Sequence, residues 1–317
     1  MSQPDLPSFE DVLAAQARIA GHVHRTPVLT SRLLDEHTGA HIGFKAENLQ
    51  RAGAFKARGA TNAVLSLGPD AATLGVATHS SGNHGAALAL AAADRGIAAH
   101  IVMPSNAPGV KKAAVAAYGA RIIECEPTLE ARESTLARVV ATTGAHVVHP
   151  YDDARVIAGQ GTVALEILEQ VPKVDVVVVP VGGGGLLGGV ALAVKSLRPQ
   201  VEVVGIEPAG ADDAFRSFGL GRRILQTSPN TIADGLLTSL GVRNFALIQQ
   251  YVDTIITVDD AMIVEAMRLQ WTRLKTLVEP SGAVTFAGLL EYPERFKGRR
   301  VAAVISGGNL DIDKLPW

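Results

Sequence analysis

Apolar positions along the chain switch between two periods. Over residues 8–20 they fall at Val12, Leu13, Ala15 and Ile19, which is one face of an opening helix. Short apolar runs then recur at 41–44, 75–77, 99–103, 121–124, 147–148, 174–179, 201–206 and 301–305. Between most of them lies an Ala/Leu-rich segment long enough for a helix, as at 85–95, 108–118 and 186–197. Strands alternating with helices predict right-handed βαβ units and a mainly parallel sheet, hence an α/β fold. Residues 76–148 hold a compact βαβαβ series, and the long run at 174 starts another. Two lobes follow: a small inserted domain over 76–149, and a large domain built from 1–75 and 150–317. No low-complexity linker and no repeat of fixed period divides the chain.

Composition narrows the class. The 317 residues are 47% hydrophobic and 19% charged, enough apolar material for a sizeable core. A formal net charge of -2 gives no electrostatic reason to expect nucleic acid or an anionic membrane as partner. The one cysteine, Cys125, excludes an intramolecular disulfide and reads as a strand thiol within the alternating run 121–125. Residues 1–10 are polar and acidic, unlike a secretory leader, and the most apolar run, 174–181, is too short to span a bilayer. A cytoplasmic location is expected.

Four segments carry chemistry. The run Val181-Gly182-Gly183-Gly184-Gly185-Leu186-Leu187-Gly188-Gly189 follows four consecutive valines and opens a helical stretch. Glycines there let backbone amides face an anion, and a helix N-terminus favours negative charge, so a phosphate is the natural occupant. Gly183, Gly185 and Gly188 also satisfy G-x-G-x-x-G, with Glu207 nineteen positions beyond Gly188. From this motif alone a nicotinamide-dependent oxidoreductase stays open. A second segment, Gly53-Ala54-Phe55-Lys56-Ala57-Arg58-Gly59, sets one lysine among small residues just before a helix. A third, Ser80-Ser81-Gly82-Asn83-His84-Gly85, places hydroxyls, an amide and free N–H groups at a helix start, suited to a carboxylate or to a plain cap. The fourth, Ser306-Gly307-Gly308-Asn309, follows the last strand.

Taken in chain order, as lysine segment, Ser-Ser-Gly-Asn-His, tetraglycine and Ser-Gly-Gly-Asn, the four segments resemble the serine racemase and threonine (serine) ammonia-lyase family of fold-type II pyridoxal-phosphate enzymes. The likeness runs from His24-Arg25-Thr26-Pro27 to Ser306-Gly307-Gly308-Asn309. A dehydrogenase has no use for the other three segments. The resemblance implies a tryptophan synthase β-like architecture, two lobes each with a mainly parallel twisted sheet flanked by helices. It implies Lys56 as the lysine that carries pyridoxal 5'-phosphate and removes the substrate Cα proton. Gly182, Gly183, Gly184, Gly185 and the Leu186 amide would hold the phosphate, Phe55 would flank the ring, Asn83 would meet the phenolic oxygen and Ser306 the ring nitrogen. Ser80, Ser81 and His84 would grip the substrate carboxylate, with Ser81 also the base on the opposite face.

The same resemblance implies a divalent cation, Mg²⁺ or Ca²⁺, at Glu207, the Ala211 carbonyl and Asp213, an oxygen set that suits a hard ion; an acidic helix start is the plainer reading of those residues. Arg132 is expected near the mouth of the site, placed to meet a second carboxylate. The expected activity is loss of water and ammonia from L-threonine or L-serine, with serine racemisation or threo-3-hydroxyaspartate ammonia-lyase activity as the alternatives. A small amino-acid substrate and a homodimer complete the expectation.

Overall fold

A computed structural model describes residues 5–317; the first four residues of the acidic stretch at 1–10 lie outside them. The larger sheet contains β1 (Val28–Leu29), β2 (His41–Ala46), β7 (Val176–Pro180), β8 (Glu202–Pro208), β9 (Thr254–Val258) and β10 (Arg300–Ile305). The smaller contains β3 (Val76–His79), β4 (Ala99–Pro104), β5 (Arg121–Cys125) and β6 (His146–Val147). Strand order is β1-β2-β10-β7-β8-β9 in one and β5-β4-β3-β6 in the other. Every pairing is parallel except β1 with β2. In chain order the smaller sheet is built entirely between β2 and β7. The fold is therefore α/β with two lobes, as the alternating pattern predicts.

The valines Val176, Val177, Val178 and Val179 are fully buried because β7 is a central strand covered on both faces, the setting that selects continuous β-branched runs. Helices Ala154–Gln170 and Gly185–Leu197 cover one face, and helix Pro280–Glu291 the other. Strands β1 and β9 answer to no run picked out in the sequence. Both are edge strands, and in β9 only Ile255 and Val258 are buried. The opening helix runs Phe9–Ile19, with Ser8 as its cap: the Ser8 hydroxyl accepts from the Asp11 amide, and the Asp11 carboxylate accepts from the Ser8 amide.

Glycines bring three helices into backbone contact. A Cβ on Gly159 would lie 2.6 Å from the Gly59 Cα, and one on Gly189 would lie 2.4 Å from the Ile157 carbonyl oxygen. Helix Lys56–Leu65 therefore crosses helix Ala154–Gln170 closely, and that helix crosses Gly185–Leu197. Beneath the first crossing lies a buried ionic cluster. The Arg58 guanidinium donates to Glu47 at 2.8 Å and to Glu166 at 2.7 Å, while Lys45 Nζ donates to Glu166 at 2.5 Å and to the Thr26 carbonyl at 2.7 Å. Among the described residues no helix is long and apolar enough to cross a membrane.

Candidate active site

Lys56 is the first residue of its helix, fed by a loop tied to the end of the larger sheet. Ala54 bridges Gly307, and the Phe55 amide donates to the Ser306 carbonyl at 3.0 Å. The Lys56 side chain turns inward, Nζ donating to the Pro150 carbonyl at 2.8 Å and lying 5.1 Å from the Phe55 ring centre. No carboxylate compensates it, so desolvation lowers its pKa to about 8. A free amine is thus accessible near neutrality, the state in which lysine attacks a carbonyl or takes a proton.

The tetraglycine run lies between β7 and helix Gly185–Leu197 and is buried throughout. Each glycine has a reason to be one. A Cβ on Gly182 would meet the Leu236 Cα at 2.8 Å, on Gly183 the Tyr151 ring at 2.4 Å, and on Gly185 the Tyr151 carbonyl oxygen at 3.0 Å. Gly184 sits at φ +87, where side chains are strained, and Leu240 and Asn244 crowd it. Asn244 Nδ2 donates to the Gly183 carbonyl at 2.6 Å and to the Tyr151 carbonyl at 3.0 Å, so the loop is held from outside as well. The Leu186 amide opens the helix here. These contacts wall in a buried glycine loop at the start of a helix.

The serine loop joins β3 to helix Asn83–Arg95. Within the chain the Gly82 amide reaches only the Ser80 hydroxyl, at 3.3 Å, and the Asn83 and His84 amides stand in the first helical turn. The His84 ring is buried, Nε2 against the Val148 carbonyl at 3.1 Å and Nδ1 without a partner. Burial holds its pKa down at about 3, so the ring is neutral and spends its N–H on Val148. Its side chain therefore anchors the loop to the carbonyl that follows β6. Asn83 Nδ2 donates to Glu279 at 2.8 Å, and Ser306, buried, donates to the Ser281 carbonyl at 3.3 Å. Lys56, Phe55, Asn83 and Ser306 are thereby brought together through the 51–55 and 306–309 loops.

Two groups lie farther out. Arg132, on helix Leu129–Thr143, lies close enough to His79 to lower its pKa, second only to burial. His79 stands edge-on to His149, and His149 to Tyr151, at centroid distances of 6.3 Å and 4.7 Å. These rings run from the end of β3 to the glycine loop, while Arg132 Nε donates to the Thr128 carbonyl of its own helix start at 3.3 Å. Glu207, at the end of β8, accepts from the Ala214 and Phe215 amides at 3.0 and 2.8 Å, as an acidic helix start would. Asp213 Oδ2 accepts from the Leu240 amide at 2.9 Å, whereas its buried Oδ1 has no partner. Ala211 is fully buried beside them. Burial and the neighbouring acids Asp213 and Asp212 push Glu207 well above the usual carboxylate range, and burial pushes Asp213 to about 6. Among the described residues no three His, Cys, Asp or Glu side chains cluster as a metal site.

Sequence reasoning missed Tyr151, Asn244 and Glu279, and gave Asn309 no role. Their partners lie 32, 61, 196 and 226 positions away, so no local pattern announces them.

Residues 19–307 match the family described as pyridoxal-phosphate dependent enzyme. The chain is similar to a beta-hydroxyaspartate dehydratase of Paracoccus denitrificans (strain Pd 1222), 51% identical over 98% of this chain and 99% of that protein. Its structure resembles that of maize serine racemase, with a TM-score of 0.96 and 46% identity over 98% of this chain and 95% of that one. It also resembles a T.th. threonine deaminase, with a TM-score of 0.92 and 46% identity over 96% and 99%. The chain belongs to the family of pyridoxal-phosphate dependent enzymes.

Proposed function

We propose that this enzyme removes water and ammonia from small L-hydroxy amino acids, L-serine and L-threonine among them, to leave a 2-oxo acid. The observation that carries the reading is the half-buried Lys56 amine, turned inward onto the Pro150 carbonyl beside the Phe55 ring, with its pKa lowered to about 8. The residues fit pyridoxal phosphate: 182–185 with the Leu186 amide for its phosphate, Phe55 beside the ring, Asn83 for the phenolic oxygen and Ser306 for the ring nitrogen. Bound there, the cofactor supplies the electron sink for breaking bonds at Cα. Lys56 takes the Cα proton, while the hydroxyls of Ser80 and Ser81 and the amides at the helix start hold the substrate carboxylate. Ser306 is a neutral hydroxyl and gives no reason for the ring nitrogen to be protonated, which favours fast elimination. Ser81 is the group for proton return from the other face, so serine racemisation belongs to the same reading.

A dicarboxylic substrate, 3-hydroxyaspartate, is supported by the dehydratase relative, with Arg132 as the candidate partner for its second carboxylate. An arginine fork on the second carboxylate is worth roughly 1.5–3 kcal/mol, about ten- to a hundredfold in affinity. We further propose a divalent cation at Asp213 Oδ1, Glu207 and the Ala211 carbonyl, a homodimer in which a second copy covers the exposed Leu49 and Leu277, and a cytoplasmic location. The substrate test follows 2-oxo acid release and enantiomer interconversion with L-serine, L-threonine and L-threo-3-hydroxyaspartate. Arg132→Ala is expected to impair hydroxyaspartate selectively, about ten- to a hundredfold. Equal effects on all three substrates would make Arg132 a surface residue and leave serine and threonine as the substrates.

A further inference from the structure

The carboxamide of Asn83 is one link in a chain of side-chain hydrogen bonds that begins at a backbone carbonyl. Asn309 Nδ2 donates to the Ala52 carbonyl at 2.7 Å and to Asn83 Oδ1 at 3.0 Å. Asn83 Nδ2 in turn donates to Glu279 Oε1 at 2.8 Å. Glu279 is buried, receives the Asn309 amide as well, and stands so close over Gly307 that a Cβ there would lie 2.3 Å from Oε1. The nitrogen and oxygen of an amide side chain are nearly identical in shape, so only its partners decide which end points where. Here the decision starts from an atom without ambiguity. A carbonyl oxygen only accepts, so Ala52 fixes the Asn309 amine end; its second N–H then fixes Asn83 Oδ1.

The first link is held at a conformational cost. Ala52 has φ +55, a left-handed conformation that non-glycine residues rarely adopt, and the next residue, Gly53, at φ +70, has room for no side chain because Asn309 Oδ1 would lie 2.3 Å from its Cβ. The strained turn therefore aims one carbonyl at Asn309 and seats the rest of that side chain against Gly53.

We propose that Asn309 and Glu279 are positioning residues that set the polarity of the Asn83 carboxamide, leaving its second N–H free to donate to the phenolic oxygen of the cofactor. The relay rests on the pyridoxal-phosphate reading of the site and assigns to it two residues that do not touch the substrate. If Asn83 turned over, its carbonyl oxygen would face the phenolate, and a donor to the charged form would become a repulsion.

The experiment measures two properties of the full-length protein: the Kd of the apoenzyme for pyridoxal phosphate, and the pH titration of the bound cofactor's visible absorption. Asn309→Leu keeps the shape and removes both donors. It is expected to raise Kd about tenfold and to move the titration up by about one pH unit, the size of one lost charge-assisted hydrogen bond. Asn309→Asp replaces donors with acceptors and is expected to do both more strongly; it decides the matter alone if the leucine variant does not fold. Glu279→Gln keeps an acceptor oxygen towards Asn83 and is expected to stay within about threefold of wild type. Folded Asn309 variants with wild-type Kd and an unmoved titration would overturn the relay while leaving the cofactor reading intact. A wild-type protein that takes up no pyridoxal phosphate would overturn the reading beneath it, and the relay with it.

Discussion

Lys56 owes its reactivity to what surrounds it rather than to a partner. A lysine of ordinary pKa is almost wholly protonated at pH 7.5, whereas one that titrates near 8 exposes a usable fraction of free amine there, and more as pH rises. The lowering comes from burial alone, and Pro150 supplies a carbonyl rather than a negative charge. Ser81 is the second base we propose, and two bases on two faces are what racemisation requires. Elimination from an L-substrate needs only Lys56. Ser81→Ala is therefore expected to lower racemisation of L-serine by about a hundredfold or more while changing loss of water from L-serine by less than about threefold. Assaying 2-oxo acid and D-serine in one reaction reads both, and a parallel fall in the two would show that Ser81 chiefly holds the carboxylate.

At the scale of elements, the glycine-rich positions do two kinds of work. Gly59, Gly159 and Gly189 let three helices touch, the first of them opening with Lys56; Gly182, Gly183 and Gly185 make room for Leu236 and Tyr151. The tetraglycine run was legible as a tight, buried strand-to-helix loop, which the sequence reading assigns to an anion. The helix seam was not, since isolated glycines in helical segments carry no local signal of what they meet.

The end of β8 shows the opposite balance. There the sequence allowed either a cation site or an acidic helix start, and the structure holds features of both: Glu207 caps two amides, and Asp213 Oδ1 is left buried and unpaired. Crowded, desolvated carboxylates are pushed towards their protonated forms, and a divalent cation would reverse that. Chelation is accordingly expected to lower the melting temperature, and Mg²⁺ or Ca²⁺ at a hundredfold excess over Kd to restore about 2.7 kcal/mol, roughly 5–10 °C. Glu207→Gln should abolish the response, and a wild-type melting temperature indifferent to chelator and metal would leave a helix cap only.

Over the whole molecule, the alternation of strands and helices announced the α/β fold and its two sheets, because buried parallel strands demand the continuous apolar runs that the eye finds first. The edge strands β1 and β9 escaped, being short or half-exposed. The proposed site was legible as contiguous motifs, at Lys56, the serine loop, the tetraglycine and Ser306. It was hidden where side chains from distant segments close it, at Tyr151, Asn244 and Glu279, since topology alone brings those together. His79, His149 and Tyr151 then link the smaller sheet to the glycine loop, with Lys111 reaching across to Asp234. The proposed roles all depend on one covalent attachment, of the cofactor to Lys56. The most direct measurement is borohydride reduction of the protein loaded with pyridoxal phosphate, followed by peptide mapping. The account predicts a yellow protein whose visible band is lost on reduction and a single stable adduct at Lys56, absent from Lys56→Ala. An adduct at another lysine, or a protein that stays colourless with the cofactor present, would contradict it.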